Sequence, residues 1–231
     1  MRNLICGDIH GDKFNLCDIF NLAKSHNCQR IINVGDFGFF PGIDCCKSFL
    51  DLCSNLIFQT GIQFSFVDGN HEDHQFLNQF SGEVRNVWKG IEWNWRGKVF
   101  DGICSFGGAY SIDKEYREIG FDWFPEETIS ETQVQSISGK SCDVLLSHDC
   151  PFGIDFGFLK NDFGTYINRQ QLLKVVLEMK PKLIIHGHYH NFYFMRKDFG
   201  YGMVEVVGLN RNKSELNEQC GILEDGQFEF L

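Results

Sequence analysis

Three short apolar runs in the first third of the chain end alike. Asn3–Cys6 runs into Gly7-Asp8, Arg30–Val34 into Gly35-Asp36, and Ile62–Val67 into Asp68-Gly69-Asn70-His71. Each reads as a buried strand delivering a polar loop that contains glycine. Helical spacing fills the intervals. Phe14, Cys17, Ile19, Phe20 and Leu22 mark a helix over Lys13–Ser25, with Asp12 placed to cap it, and a second helix spans Asp44–Phe58. Strands alternating with helices predict an α/β sheet whose important loops lie at the strand C-terminal ends.

From Arg85 to Phe106 short β-rich pieces dominate: Val87-Trp88, Glu92–Trp95, Lys98–Phe100 and Ile103–Phe106. An irregular stretch, Gly107 to Glu127, follows. Ser130 and Gln133 then form a capping-box pattern for a further helix. Asp143–Ser147 is a strand ending at His148, Arg169–Met179 is a helix stopped by Pro181, and Leu183–Ile185 is a strand ending at His186-Gly187-His188. Phe192 to Phe230 reads as strands with turns at Asp198–Gly202 and Asp225-Gly226. Without a repeat or a convincing linker, residues 1–231 are expected to form a single domain.

The net charge of −10 argues against an extended nucleic-acid track, which needs clustered Lys and Arg. It leaves room for a small phosphate ester, and bound cations would neutralise some carboxylates. The 24 Phe predict a thick aromatic core. The ten Cys show no C-x-x-C spacing, and no apolar run is long enough to span a membrane. With no signal peptide before the first strand, the expectation is reduced thiols in a cytoplasmic protein.

Five loop motifs carry the chemistry: Gly7-Asp8-Ile9-His10-Gly11, Gly35-Asp36, Gly69-Asn70-His71-Glu72, Ser147-His148-Asp149 and Gly187-His188-Tyr189-His190. Singly, each is an ordinary turn, and an isolated His is more often a packed or surface residue than a ligand. Together they collect five of the eight His with Asp8, Asp36 and Asn70. Those residue types suit divalent cations, and a carboxylate can bridge two of them.

The ordered set D-x-H, G-D, G-N-H-[DE], lone H and G-H-x-H, found between residues 7 and 190, resembles the calcineurin-like metallophosphoesterase superfamily. The resemblance implies a four-layer α/β/β/α sandwich and a dinuclear, metal-dependent phosphoesterase. It implies one metal held by Asp8, His10, Asp36 and His190, and a second held by Asp36, Asn70, His148 and His188, with Asp36 bridging. His71 would be the catalytic residue, donating to the leaving oxygen and not ligating metal. Manganese comes first among candidate ions, with Fe, Zn, Co and Ni acceptable to such a site; no organic cofactor is called for. A metal-bridging hydroxide would attack phosphorus in line. The expected substrate is a phosphodiester or small nucleotide-type ester. The rivals are a phosphomonoesterase or protein phosphatase, and a non-catalytic scaffold of the same fold, against which the intact ligand set argues.

The family's protein-phosphatase branch reads G-D-x-x-D-R-G at the second motif, where this chain has Gly35-Asp36-Phe37-Gly38-Phe39-Phe40. Phe39 replaces the acid that supports the catalytic His, and Phe40 replaces the phosphate-binding Arg. Asp68, Asp73 and Asp149 stand as candidates to orient His71 instead. The stretch Gly107 to Arg117 and the following Phe121–Pro125 could wall the cleft, with Arg117 on phosphate and Tyr110 or Trp123 stacking on a base. The alternative for each is a packed surface loop. His186 is expected to be a packed core residue or to support a ligand from behind rather than to be one, and His26 and His74 are expected to be surface residues. Glu72 and Asp149 either orient neighbouring ligands or are solvated turn acids.

Overall fold

In the computed structural model, which describes residues 1–80, 86–155, 157 and 162–231, strand formation follows the apolar runs. Arg85, where the sequence places the start of the β-rich middle, lies outside the described residues. The first half gives β1 (Asn3–Cys6), α1 (Lys13–Ser25), β2 (Arg30–Asn33), α2 (Asp44–Thr60), β3 (Gln63–Phe66), α3 (His74–Leu77), β4 (Asn86–Trp88), β5 (Ile91–Trp93), β6 (Lys98–Phe100) and β7 (Ile103–Phe106). The second half gives α4 (Glu131–Gln135), β8 (Val144–Ser147), α5 (Phe163–Met179), β9 (Leu183–His186), β10 (Tyr193–Asp198), β11 (Met203–Gly208), α6 (Leu216–Gln219), β12 (Cys220–Glu224) and β13 (Gln227–Phe230).

The strands form two sheets, ordered β13-β12-β1-β2-β3-β5-β4 and β10-β11-β9-β8-β7-β6. Parallel pairing holds the centre of each: β1, β2, β3 and β5 in one, β7, β8, β9 and β11 in the other. Antiparallel strands flank both.

The two-residue period of a strand sorts its side chains between two cores. On β1, Leu4 and Cys6 join a cluster with Leu16, Ile19, Phe20, Phe49 and Leu50 of α1 and α2, while Ile5 faces the other way. On β9, Ile184 packs with Leu172, Val175 and Val176 of α5, while Leu183 and Ile185 join Ile5 and Ile32 of the first sheet. Three apolar clusters therefore alternate with two sheets, the sequence of layers that an α/β/β/α stack requires. The expected aromatic core is present: Phe20, Phe37, Phe39, Phe49, Phe64, Phe66 and Phe106 are fully buried.

Caps fix the helices. Asp12 accepts from the Phe14 and Asn15 N–H groups, and Ser130 with Gln133 closes a complete capping box. α5 begins at Phe163, capped by Asp162, earlier than the expected Arg169. Among the described residues no helix is long and apolar enough to cross a membrane.

Candidate metal centre

Each of the five motifs leaves the C-terminal end of a parallel strand: β1, β2 and β3 from one sheet, β8 and β9 from the other. Their side chains converge. Asp8, His10, Asp36 and His190 each offer a ligand atom within 4.8 Å of the others, as do Asp36, His148 and His188. Asp36 belongs to both groups.

In the first group the Nε2 atoms of His10 and His190 face each other at 3.2 Å. Asp8 Oδ2 lies 3.0 Å from His190 Nε2 and 3.7 Å from His10 Nε2. That carboxylate oxygen is nonetheless buried without a hydrogen bond. An orphaned anionic oxygen facing two imidazole nitrogens has the donor set of a cation site. In the second group His148 Nε2 lies 3.2 Å from Asp36 Oδ1 and 3.3 Å from Asn70 Oδ1. His148 Nδ1 is 2.8 Å from the Val34 carbonyl oxygen, a contact that places the proton on Nδ1 and leaves Nε2 for the centre.

The backbone is bent to make this possible. His10, Asp36, His188 and His190 have φ between 51° and 69°, a left-handed conformation uncommon for residues other than glycine. Such strain costs roughly 1–3 kcal/mol per residue and concentrates at functional sites. Asp36 is held there by the Asn70 and His71 N–H groups, which donate to its Oδ1 at 3.0 and 2.9 Å. A Cβ on Gly69 would run into that same oxygen, so glycine is required between the third strand and Asn70.

Electrostatics follows the geometry. Burial alone would raise the Asp36 carboxyl, but His148, His71 and His10 hold it well below the usual carboxylate range. Burial lowers the His148 imidazole, and Asp36 outweighs that and raises it. Burial pulls His188 down to about 4, keeping it neutral and able to ligate.

His71 stands beside the groups. Its Nε2 lies 4.0 Å from Asp36 Oδ2 and 2.8 Å from Arg117 Nη2. The acids expected to orient it are engaged elsewhere. Asp68 binds Arg96 and Trp93, Asp73 caps α3, and Asp149 accepts from Asn168 and Tyr189. Arg117 instead links His71 to Asp113, at 2.8 Å from its Oδ1.

A cleft of about 420 Å³ opens over Asp36, Asn70, His71, His188 and His190, walled by Tyr110, Ile112 and Arg117. Trp123 is not among its lining residues; the Lys114 ammonium lies 5.0 Å from the Tyr110 ring and 5.6 Å from the Trp123 ring. A larger cavity of about 540 Å³ at the opposite strand ends, beside Asn3, Ile103 and Val144, contains none of the motif residues.

Some sequence expectations are corrected. His74 is buried, its Nε2 3.0 Å from the Gly69 carbonyl, because α3 folds back under the third motif. His26 is half-buried, and His186 is a core residue as expected. Glu72 and Asp149 are fully buried, which removes the solvated reading: Glu72 accepts from the Gly38 and Gly69 N–H groups, and Asp149 from Tyr189. Phe39 is packed between Phe66 and Phe76, so aromatic contact anchors the second loop where the protein-phosphatase pattern has an acid.

Other site residues carry no signature in the sequence. Ser111 and Glu127 are buried behind Asn70. Arg96 bonds Asp68, the carbonyls of Glu126, Glu127 and Thr128, and the Gln133 amide oxygen. They are generic polar residues whose partners come from distant chain positions, so no local pattern marks them.

The family description "Calcineurin-like phosphoesterase" matches residues 1–192, and the chain belongs to that family of dinuclear-metal-dependent phosphoesterases. The chain is 26% identical over 214 residues to the serine/threonine-protein phosphatase 4 catalytic subunit of Eremothecium gossypii, covering 81% of this chain and 64% of that one. It thus spans less than two thirds of that relative. The Saccharomyces cerevisiae counterpart is 24% identical, over 95% of this chain and 77% of its own. Among solved structures, TT1561 of Thermus thermophilus superposes with a TM-score of 0.61 at 13% identity, covering 99% of this chain and 96% of that one. A dimetal phosphatase from Danio rerio gives 0.58 at 12% identity, covering 96% and 91%.

Proposed function

We propose that the chain hydrolyses phosphate esters, a phosphodiester or small nucleotide-type ester in particular, at a dinuclear site. Asp8, His10, Asp36 and His190 hold one divalent cation; Asp36, Asn70, His148 and His188 hold the other. The observation that carries this reading is the sharing of Asp36 between two convergent ligand groups, one of which leaves Asp8 Oδ2 buried without a hydrogen bond. The mixed nitrogen and oxygen donors accept Mn, Fe, Zn, Co or Ni, and availability decides among them, with manganese taken first as the ion to test.

Two divalent cations, when bound, supply Lewis acidity toward water and toward phosphate oxygens. The chain's own residues hold, orient and move protons. Arg117 is the cation that the second motif lacks at Phe40. Its side chain is 9% exposed, it lines the cleft, and its Nη1 is buried with no hydrogen bond. A guanidinium offers donors and no acceptor, so His71 Nε2 accepts from it. An anionic phosphate oxygen competes for that guanidinium. His71 Nε2 is then free to carry the proton that an alkoxide leaving group needs. The Tyr110 ring offers a stacking face to a base on the same wall.

A phosphomonoesterase or protein phosphatase is the second reading, favoured by the similarity to the phosphatase 4 catalytic subunits. Phe39 and Phe40 at the second motif count against it. The test compares bis-p-nitrophenyl phosphate with p-nitrophenyl phosphate, with Mn²⁺ added. Preference for the diester supports the first reading, preference for the monoester the second. No turnover of either would favour a scaffold.

A further inference from the structure

The amide of Asn70 has two ends of opposite polarity, and only its oxygen can face a cation. Rotation by half a turn would present an NH₂ group instead, with almost no change in shape. Something must therefore fix its sense. Asn70 Nδ2 lies 3.1 Å from Ser111 Oγ. Ser111 Oγ lies 2.7 Å from Glu127 Oε2, and the Ser111 N–H donates to Glu127 Oε1 at 2.7 Å. All three side chains are buried, and Glu127 is fully so.

The directions of these bonds are forced from the far end. A carboxylate only accepts, so the Ser111 hydroxyl spends its one proton on Glu127. Its oxygen can then only accept, and the partner it accepts from is Asn70 Nδ2. The amide oxygen is left pointing at His148 Nε2, 3.3 Å away, and so into the second ligand group. Glu127 itself is held by its two bonds from Ser111, and its main-chain carbonyl is tied to Arg96 Nη2 at 2.9 Å.

We infer that Ser111 and Glu127 are positioning residues for the second cation: a buried Glu127–Ser111–Asn70 relay sets the polarity of the Asn70 amide so that its oxygen faces the site. This rests on the reading of Asn70 as a ligand. Hydrogen bonds of this kind behind a metal ligand are worth roughly 10–100-fold in metal affinity.

Mn²⁺ titration of the chain, read by calorimetry and by the electron paramagnetic resonance signal of free Mn²⁺, tests it. Wild type should take up two ions. Ser111→Ala should leave the ion of the Asp8 group unchanged and weaken the other by roughly 10–100-fold. Glu127→Gln, which preserves shape, should do the same, because its NH₂ would donate to Ser111 Oγ and turn the hydroxyl proton back toward Asn70. Asn70→Asp has no polarity to set, so adding Ser111→Ala to it should leave the second-ion affinity where Asn70→Asp alone puts it. Two ions bound by wild type and by both variants with equal affinity would overturn the relay while leaving the site intact. Equal weakening of both ions would overturn it as well. A wild-type chain that takes up no second ion would overturn the site reading, and the relay with it.

Discussion

Asp36 carries more of the site than any other single side chain. It takes the left-handed backbone conformation, accepts two main-chain N–H bonds through one oxygen, and still faces both ligand groups. Asp36→Asn removes the negative charge between two cation positions and should empty them; elemental analysis of purified protein checks this, and full metal content would rule out a bridging role. His71 and His188 separate catalysis from binding. His71→Ala should keep its metals and lose roughly 10²–10⁴-fold in turnover of unactivated esters, with a smaller loss for an aryl ester whose leaving oxygen barely needs a proton. His188→Ala should lose metal first, and activity on every substrate as a consequence. Equal slowing of activated and unactivated esters by His71→Ala would end the leaving-group assignment. The motif residues are legible in the sequence because ligation restricts residue type, and five motifs repeat that restriction. Ser111, Glu127 and Arg96 are not, since serine, glutamate and arginine satisfy many structural roles and only tertiary contact selects one.

The elements legible in the sequence are those whose ends are written locally. α1 and α4 carry side-chain caps, and β1, β2 and β3 are apolar runs closed by glycine-containing loops. α5 extends back to Phe163: Phe163, Tyr166 and Ile167 keep the i, i+3, i+4 spacing of a helix though all three are exposed, and Asp162 caps the first turn. α3 and α6 are single turns of four residues, too short for periodicity to register. α3 also hides His74, and that burial has a consequence for acid stability. Burial pulls the His74 imidazole down to about 4 from its usual 6.5, with its Nε2 bonded to Gly69. Between those values the unfolded chain binds a proton that the folded chain refuses. The contribution of neutral His74 is therefore full above about 6.5 and is lost as the pH falls toward 4, by about 3 kcal/mol at most. Urea titrations of wild type and His74→Gln at pH 7 and pH 4.5 should converge at the lower pH; a constant gap would show that His74 titrates in the folded chain as it does in the unfolded one.

Across the whole molecule, the candidate centre gathers its proposed ligands from both sheets: Asp8, Asp36 and Asn70 follow strands of one, His148, His188 and His190 strands of the other. Cations bound there would join the two sheets at their strand ends and would bind the folded state alone. The thermal midpoint should rise with added Mn²⁺ and fall with a chelator, and Asp36→Asn should abolish the response. A midpoint indifferent to both would mean that the chain does not load metal. Alternating strands and helices make an α/β sheet legible, and the four-layer order comes only from the family resemblance, whereas the pairing of β12 and β13 beside β1 brings distant segments together and leaves no local trace. Arg96 also acts at this scale. It holds the far end of the segment that carries the cleft wall, through the carbonyls of Glu126, Glu127 and Thr128, atoms that every amino acid possesses. At that end the segment is held by its main chain, whatever side chains it presents. Substitutions at Tyr110 or Ile112 should therefore change what the cleft selects while leaving this main-chain anchorage and the cation ligands in place, so selectivity and metal chemistry can vary independently.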